Sequence, residues 1–292
     1  MPKIRSYIRF FFYVLKHGRL KKPYIDFEQT RKDVLQASPA SALPADIAAK
    51  GAGLYTRTRN ALLKKPLPGL LITNLAYLKS VPSIHKQYFV SDQHKLVYLR
   101  IFKNASTSIL KTMLPELYAP VRDHALTDDQ VDAVAHYVVR RSLTSHQNHY
   151  TMFTVVRNPF ERMVSAYTDI FDPASPYFSY EDFLGGIFRK DMSFKEFLTT
   201  LAAVPDSLRG PHFASQHSMI TQAGGRDKPM IFRLETDKQL LTDFLATYGF
   251  TIGHQNKSKR TSNYKDYYDT DTLKLVASIY KDDFDEFGYT MS

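Results

Sequence analysis

The sequence predicts an α/β fold in which a central parallel sheet is flanked by helices. Two short apolar runs, each followed directly by a helical pattern, are the main support: "KLVYLRIF" before "ILKTMLPEL", and "YTMFTVV" before "NPFERMVSAYTDIF". A further helical pattern, "DDQVDAVAHYVVRRSL", separates the two units, and this order is typical of parallel neighbouring strands. "PMIFRLE" is predicted to be a third short strand. Ligands are therefore expected at the carboxyl ends of the strands.

The elements follow in chain order. The strand in "KLVYLRIF" precedes a helix whose apolar positions recur at helical spacing and which Pro115 is expected to bend or end. Further helices are predicted in "SFKEFLTTLA" and "DKQLLTDFLATYG", on either side of the third strand. The C-terminal "TDTLKLVASIYKDDFDEFGY" is predicted to form one long amphipathic helix with its cap.

Composition limits the classes of partner. With 292 residues, 43% of them apolar, the chain can bury a substantial core. The net charge of +10 favours polyanions, anionic lipid surfaces, or phosphorylated and sulfated small molecules as partners. The sequence has no RNP-like aromatic motif, zinc-finger spacing or recognition helix, so we expect no nucleic-acid partner. It also contains no cysteine, which excludes disulfides, thiolate metal sites and a cysteine nucleophile.

We predict two regions: an N-terminal extension over residues 1–85 and the main domain over residues 86–292. Residues 1–22 combine basic side chains with the apolar "IRFFFYVL", and residues 36–53 read as a linker rich in Ala, Ser, Pro and Gly. Two interpretations of residues 1–22 stay open: peripheral contact with a membrane surface, or packing on the chain's own domain or a partner subunit. We expect a cytoplasmic protein which, if residues 1–22 contact a membrane, lies peripherally at its inner face.

The first strand-to-helix turn has the chemistry of an anion site. Backbone amides at the start of a helix carry partial positive charge, and the hydroxyls of Ser106, Thr107 and Ser108 add directional donors. Lys103 adds a full charge at the edge of the turn. The stretch is not a Walker A loop, because it lacks the glycines and its lysine precedes the turn. An ordinary helix start with a surface lysine is the alternative.

The second turn repeats this arrangement. Asn158 is a suitable N-cap, Pro159 occupies the first helical position, and Glu161 is expected to complete a capping box. Ser165 follows Asn158 by about two helical turns, so Arg157 and Ser165 can reach one ligand together. The alternative is an arginine held in a salt bridge and a serine tolerated on a helix. The apolar positions of this helix are expected to form its buried stripe: Phe160, Met163, Val164, Tyr167 and Phe171.

These residues carry a resemblance to a known family. "RIFKNASTSI" resembles the 5′-phosphosulfate loop, and "TVVRNPFERMVSAYTDIF" closely resembles the 3′-phosphate motif, of Golgi-type carbohydrate sulfotransferases such as the chondroitin and dermatan sulfotransferases. "GPHFASQHSMI", "IFRLET" and "YKDDFDEFGY" resemble further segments of that family. The resemblance extends over residues 98–289 in the family's order. In the first loop the chain departs from the family, with Phe102 where proline is frequent and Ala105 where glycine or cysteine is frequent.

The resemblance implies a P-loop-NTPase-like sulfotransferase fold that uses 3′-phosphoadenosine 5′-phosphosulfate as sulfate donor, needs no metal and sulfates a carbohydrate. Lys103 and the stretch Asn104, Ala105, Ser106, Thr107 and Ser108 would hold the phosphosulfate. Arg157 and Ser165 would hold the 3′-phosphate. Members of the family usually carry cysteines and a membrane anchor, so a soluble, bacterial-type member is the form expected here.

The residue that accepts the proton of the acceptor hydroxyl is less defined by the sequence. Histidine is the usual choice near neutral pH. His146 lies in the stretch where some related glycan sulfotransferases have a catalytic histidine, and His212 lies in the segment "GPHFASQ". A carboxylate is a third possibility. The alternative to an enzyme is a module of the same fold that binds nucleotides or polyanions without catalysis. The acceptor sugar and the oligomeric state are not predicted.

Overall fold

The computed structural model describes residues 9–10, 12–14, 16, 85–171, 187–223, 228–252 and 263–291. A four-stranded sheet of order β1-β2-β3-β4 lies at its centre. The strands are β1 (Tyr88–Ser91), β2 (Leu96–Leu99), β3 (Thr151–Val156) and β4 (Met230–Arg233). β3 pairs in parallel with both β2 and β4, which confirms the predicted α/β fold with a mostly parallel sheet.

The edge strand β1 was not predicted. It pairs antiparallel with β2, with Tyr88 opposite Leu99, and Tyr88 also exchanges backbone hydrogen bonds with Arg140. A tight turn over residues 92–95 joins the two strands. The first predicted strand, β2, is therefore the second strand of a hairpin and also the first strand of the parallel part of the sheet.

From residue 85 onward, the helices of at least six residues in the described segments are α1 (Ser106–Leu117), α2 (Asp128–Val138), α3 (Pro159–Ile170), α4 (Phe194–Ala203), α5 (Gln216–Thr221), α6 (Lys238–Thr247), α7 (Thr270–Ile279) and α8 (Lys281–Phe287). Single turns of 3-10 helix span Ala119–Val121, Gln147–His149, Asp206–Leu208 and Tyr264–Tyr267.

Pro115, which was expected to bend or end α1, does not end it, since the helix continues to Leu117. Two predicted helix boundaries were wrong. α2 ends at Val138, because the following backbone pairs with β1 at Arg140. The predicted long C-terminal helix is two helices that meet at Tyr280, whose buried hydroxyl donates to the carbonyl of Phe213 at 2.7 Å. Gly288, with φ of 68°, ends the second of them in the left-handed conformation that glycine adopts without strain.

Apolar side chains cover both faces of the sheet. Alternate residues of β2 point to opposite sides: Leu96 and Tyr98 pack with α1, α2 and α6, whereas Val97 and Leu99 pack with Tyr88 and Met152. A separate apolar cluster joins α3 to α4, α7 and α8. Because α3 is buried on several sides, the strand-to-helix turn that leads into it is held firmly at the carboxyl edge of the sheet.

The described N-terminal residues are helical and pack on the main domain. Phe10 and Val14 are buried in the cluster around α3 and α4, and the Tyr13 hydroxyl lies 3.4 Å from Oγ1 of Thr200. Arg9 and Phe12 face solvent. Residues 17–84 lie outside the described part, so the domain boundary and the membrane contact of residues 1–22 stay predictions. Among the described helices, none has the length and apolar character required to cross a bilayer.

Candidate functional site

The first loop of the site follows β2 and leads into α1. Two of its residues have left-handed backbone, Lys103 with φ of 71° and Ala105 with φ of 57°, and they flank the buried Asn104. Ala105 is the N-cap of α1 and has no side-chain atom that could accept from the first-turn amides. The start of α1, with Ser106 and its two neighbours, therefore lies at the carboxyl edge of the sheet, which is the arrangement in which helix amides can receive an anion.

The second loop follows β3 and leads into α3. The side chain of Asn158 accepts from the amide of Phe160 at 2.9 Å, which confirms the N-cap. The expected capping box was wrong: Glu161 accepts from Nη2 of Arg157 at 3.0 Å. The amide of Asn158 donates instead to Glu235, which follows β4, at 2.7 Å. A carboxylate that follows β4 thus replaces the local one and ties the end of β4 to the second loop.

The structure brings Lys103, Arg157 and Ser165 together. Nη1 of Arg157 donates to the carbonyl of Lys103 at 3.2 Å, and Nζ of Lys103 lies 2.9 Å from Oδ2 of Asp169. Glu161, Ser165 and Asp169 recur every four residues and so share one face of α3. Half-buried Ser165 lies one turn from each of the two ion pairs. The three predicted ligand-binding residues therefore border one region.

A buried glutamine connects the two loops. Oε1 of Gln216 accepts from Nδ2 of Asn104 at 2.7 Å and from the amide of Arg157 at 2.9 Å. Its Nε2 donates to the carbonyl of Arg157 at 2.8 Å. Asn104 also donates to the carbonyl of Val155 at 2.7 Å. Within the described part of the chain, buried Oδ1 of Asn104 and Nε of Arg157 have no hydrogen-bond partner. The junction of the two loops at Gln216 therefore contains one unpaired acceptor and one unpaired donor.

Sequence reasoning missed Arg162, a fully buried arginine behind the first loop. Its guanidinium donates to the carbonyls of Phe102 at 3.2 Å, Ala214 at 2.9 Å and Pro211 at 3.3 Å. Burial lowers the pKa of this side chain from its ordinary value. Helical periodicity places Arg162 opposite the predicted apolar stripe and so predicts a solvent-exposed residue. A single sequence carries no signal that the other side of α3 is covered as well.

Of the two candidate histidines, His212 lies beside the first loop. Its ring centroid is 4.2 Å from that of Phe102, the residue before Lys103. Burial and the positive charges of Lys103, Arg100 and Arg162 hold the pKa of His212 well below 6.5. The imidazole is therefore neutral at pH 7 and able to accept a proton.

His146 is exposed and lies at the opposite edge of the sheet. It precedes the single turn Gln147–His149 that enters β3, and Gln147 donates to Asp92 in the turn before β2 at 2.9 Å. The length of a six-residue strand, about 20 Å, separates this edge from the loops at Lys103 and Arg157. The structure thus does not bring His146 to the other predicted site residues.

Comparison with family models gives one match, and it covers most of the chain. The model described as "Sulfotransferase family" matches residues 86–290. The match contains both loops, His212, the junction at Gln216 and the C-terminal helices. Comparisons with curated proteins and with solved structures gave no match.

Proposed function

The chain belongs to the sulfotransferase family, and from that premise we propose that it moves a sulfuryl group from 3′-phosphoadenosine 5′-phosphosulfate to a carbohydrate hydroxyl. The observation that carries the proposal is the 3.2 Å hydrogen bond from Arg157 to the carbonyl of Lys103, which joins two anion-binding loops at one edge of the sheet. A donor with negative charge at both its 5′ and 3′ ends needs two such loops at a fixed spacing.

The residues present fit this donor. The first loop offers uncapped helix amides, hydroxyls and Lys103 for the phosphosulfate end. The second offers Arg157 and Ser165 for the 3′-phosphate, and the guanidinium suits a phosphate because it can donate two parallel hydrogen bonds. Both cations are held by carboxylates of α3, so they are oriented before the nucleotide binds.

When bound, the donor supplies an activated sulfuryl group attached to a phosphate leaving group. Lys103 and the α1 amides stabilise the negative charge that grows on the oxygen between sulfur and phosphorus. By holding both ends of the donor, the two loops would orient it for attack by an acceptor hydroxyl.

We propose His212 as the proton acceptor for the acceptor hydroxyl. It lies against Phe102, next to Lys103, and its lowered pKa keeps it in the unprotonated form that a base requires. The cationic surroundings make the imidazole a weaker base than usual, but they also favour a hydroxyl that carries developing negative charge. Carbohydrate as acceptor rests on the resemblance of the two loops to carbohydrate sulfotransferases and on the net positive charge of the chain.

Adenosine 3′,5′-bisphosphate, the nucleotide left after transfer, tests the donor site. At a concentration of about 100 Kd it is expected to stabilise the wild-type protein by about 2.7 kcal/mol and so raise Tm by about 5–10 °C. Arg157→Ala and Lys103→Ala are expected to reduce the shift strongly. Arg122→Ala, which removes an exposed arginine beyond the far end of α1, is expected to retain it.

Transfer of labelled sulfate to a panel of polysaccharides then tests the activity. Transfer that disappears in Lys103→Ala supports the proposal, whereas wild-type protein that shows no thermal shift contradicts it. A thermal shift without transfer to any acceptor on the panel favours a nucleotide-binding module instead.

A further inference from the structure

We propose that Gln216 is a positioning residue that fixes the spacing between the two anion-binding loops, and that the nucleotide preference of the site depends on it. With the spacing fixed, both ends of one nucleotide can bind at the same time, so that the 3′-phosphate adds to the affinity that the 5′ end provides. The inference rests on the proposed function, which assigns the two ends of one nucleotide to the two loops.

One carboxamide contacts both loops. Asn104 of the first loop and the amide of Arg157 in the second donate to the same Oε1 atom, at 2.7 and 2.9 Å. Nε2 donates back to the carbonyl of Arg157 at 2.8 Å. Because Gln216 is fully buried, water cannot readily replace these hydrogen bonds. Any change in the separation of the loops must therefore stretch or break one of them.

Gln216 is itself held from the C-terminal part of the chain. Oδ2 of Asp283, on α8, accepts from the backbone amide of Gln216 at 3.0 Å and from its Nε2 at 3.3 Å. Oδ1 accepts from the amide of His217 at 2.7 Å. Asp283 is fully buried, and burial raises the pKa of its carboxyl group. The two segments that carry these residues, "GPHFASQHSMI" and "YKDDFDEFGY", thus meet at the base of the site.

Only a carboxamide fits this position, because it accepts twice on one atom and donates on the other. A carboxylate would place an oxygen where Nε2 now donates to the carbonyl of Arg157 and the carboxylate of Asp283, so neither acceptor would have a donor. A thioether of similar size would fill the space without these hydrogen bonds, and the hydrogen bond from Arg157 to the carbonyl of Lys103 would remain as a direct link between the loops. In either case the side chains of Lys103 and Arg157 remain, so each loop keeps its charge while the spacing between the loops is held less rigidly.

A fixed spacing has a measurable signature. When two sites are rigidly spaced for one ligand, binding of the first end places the second at high effective concentration. If the spacing is lost, the additional affinity provided by the 3′-phosphate should fall. The affinity for a nucleotide with only the 5′-phosphate should change less. The ratio of the Kd of adenosine 5′-monophosphate to that of adenosine 3′,5′-bisphosphate measures this gain directly.

The experiment measures both Kd values by calorimetry for the wild-type chain and for Gln216→Met. We expect the ratio to fall by about tenfold or more, with the Kd of the 5′-monophosphate changed by less than about threefold. Gln239→Met, an exposed glutamine on α6, serves as the matched control and should leave the ratio unchanged. Asp283→Asn keeps the shape of its side chain and should give a smaller fall in the same direction, and circular dichroism identifies variants that are folded.

Two results overturn the inference in distinguishable ways. If folded Gln216→Met and Asp283→Asn both keep the wild-type ratio while their Tm falls, Gln216 has a role in stability only, and the proposed function is unaffected. If the wild-type chain binds neither nucleotide, the proposed function fails and this inference fails with it.

Discussion

Lys103 and Asp169 form an ion pair of 2.9 Å between the first loop and the last turns of α3, and Arg157 forms a second ion pair with Glu161 two turns earlier on the same helix. Each of the two cations expected to bind the nucleotide therefore already has a carboxylate partner. These carboxylates orient the cations, but they also compete with an anionic ligand for the same charges. We therefore expect the face of α3 between Glu161 and Asp169 to determine how strongly the two loops attract an anion.

Removing the carboxylate of Asp169 is expected to strengthen nucleotide binding. Asp169→Asn frees Lys103, so we expect adenosine 3′,5′-bisphosphate to bind several-fold more tightly, as titration calorimetry would measure. Because Asp169 is 58% exposed, stability should change by less than about 1 kcal/mol. Asp271→Asn removes a carboxylate paired with Lys195 at 2.7 Å and is the control for the change in net charge. A large loss of turnover with unchanged affinity would instead assign Asp169 to proton transfer.

Ser165 is expected to contribute one hydrogen bond to the 3′-phosphate end. Ser165→Ala should weaken the binding of adenosine 3′,5′-bisphosphate by about three- to tenfold, the usual effect of one hydrogen bond. The Kd of adenosine 5′-monophosphate should stay the same, since that nucleotide has no 3′-phosphate. An equal loss for both nucleotides would contradict this placement of Ser165. Thr168→Ala, on the same helix with its hydroxyl bonded to the carbonyl of Val164 at 2.9 Å, is the control.

The sequence was sufficient to predict the parallel strands and the residues of the two loops, because both depend on local patterns. Apolar runs predict buried strands, and Asn158-Pro159 marks a helix start. Glu161 shows where local reasoning fails. Its spacing from Asn158 satisfies the capping-box pattern, but Arg157 lies one turn away and a charged partner binds a carboxylate more strongly than a backbone amide does.

Long-range contacts explain the rest of what the sequence did not predict. Gln216 and Asp283 are 67 residues apart along the chain, and their hydrogen bonds follow from the packing of α5 on α8. The sequence favoured His146 over His212, although both are the same residue type. Only the order of the elements shows that one lies where β3 begins and the other against Phe102. Such distinctions depend on the path of the chain, which no local pattern encodes.

The pH dependence of turnover should report the lowered pKa of His212. Its neutral form is the base, and its pKa lies well below 6.5, so activity should stay constant as the pH falls through 6.5 and decline only at more acidic pH. An unperturbed histidine would lose half its activity near pH 6.5. The measurement is a profile of kcat against pH in stopped assays with labelled donor.

Substitution of the same histidine tests its role independently of pH. His212→Asn should lower kcat by about 100-fold or more, the usual contribution of a general base, with little change in the Kd of the bisphosphate. His146→Asn, at the far edge of the sheet, should leave kcat unchanged. The reverse result, with His146 essential and His212 dispensable, would refute the assignment of the base.

Ala105 is expected to tolerate glycine better than a typical alanine does. Its left-handed backbone costs a non-glycine residue about 1 kcal/mol, which glycine does not incur, and this gain offsets the greater entropy of glycine in the unfolded chain. Ala105→Gly should therefore change the free energy of unfolding by less than about 0.5 kcal/mol. Ala202→Gly, at an exposed position of α4, should cost about 0.5–1 kcal/mol. Urea denaturation of both variants measures the contrast, and an equal loss at the two positions would argue against strain at Ala105.

Arg162 is expected to be the most important of the charged residues for stability. Its guanidinium donates to the carbonyls of Phe102, Ala214 and Pro211, so Arg162→Leu leaves three acceptors without this donor in the protein interior. Each buried acceptor that loses its donor costs about 1–3 kcal/mol, and a total loss of about 3 kcal/mol or more is expected in urea denaturation.

A lysine at position 162 tests whether the positive charge or the shape of the guanidinium provides the stability. Arg162→Lys keeps the positive charge, but a single ammonium group cannot reach carbonyls of three different segments, so it should recover only part of the loss. Arg189→Leu, which removes a half-buried arginine paired with the exposed carboxylates of Asp191 at 3.2 Å and Glu196 at 3.4 Å, should cost less than about 1 kcal/mol. Since Nε of Arg162 also holds the carbonyl that precedes Lys103, folded Arg162→Lys should bind adenosine 3′,5′-bisphosphate more weakly than wild type. Full stability and affinity in this variant would show that charge alone suffices behind the first loop.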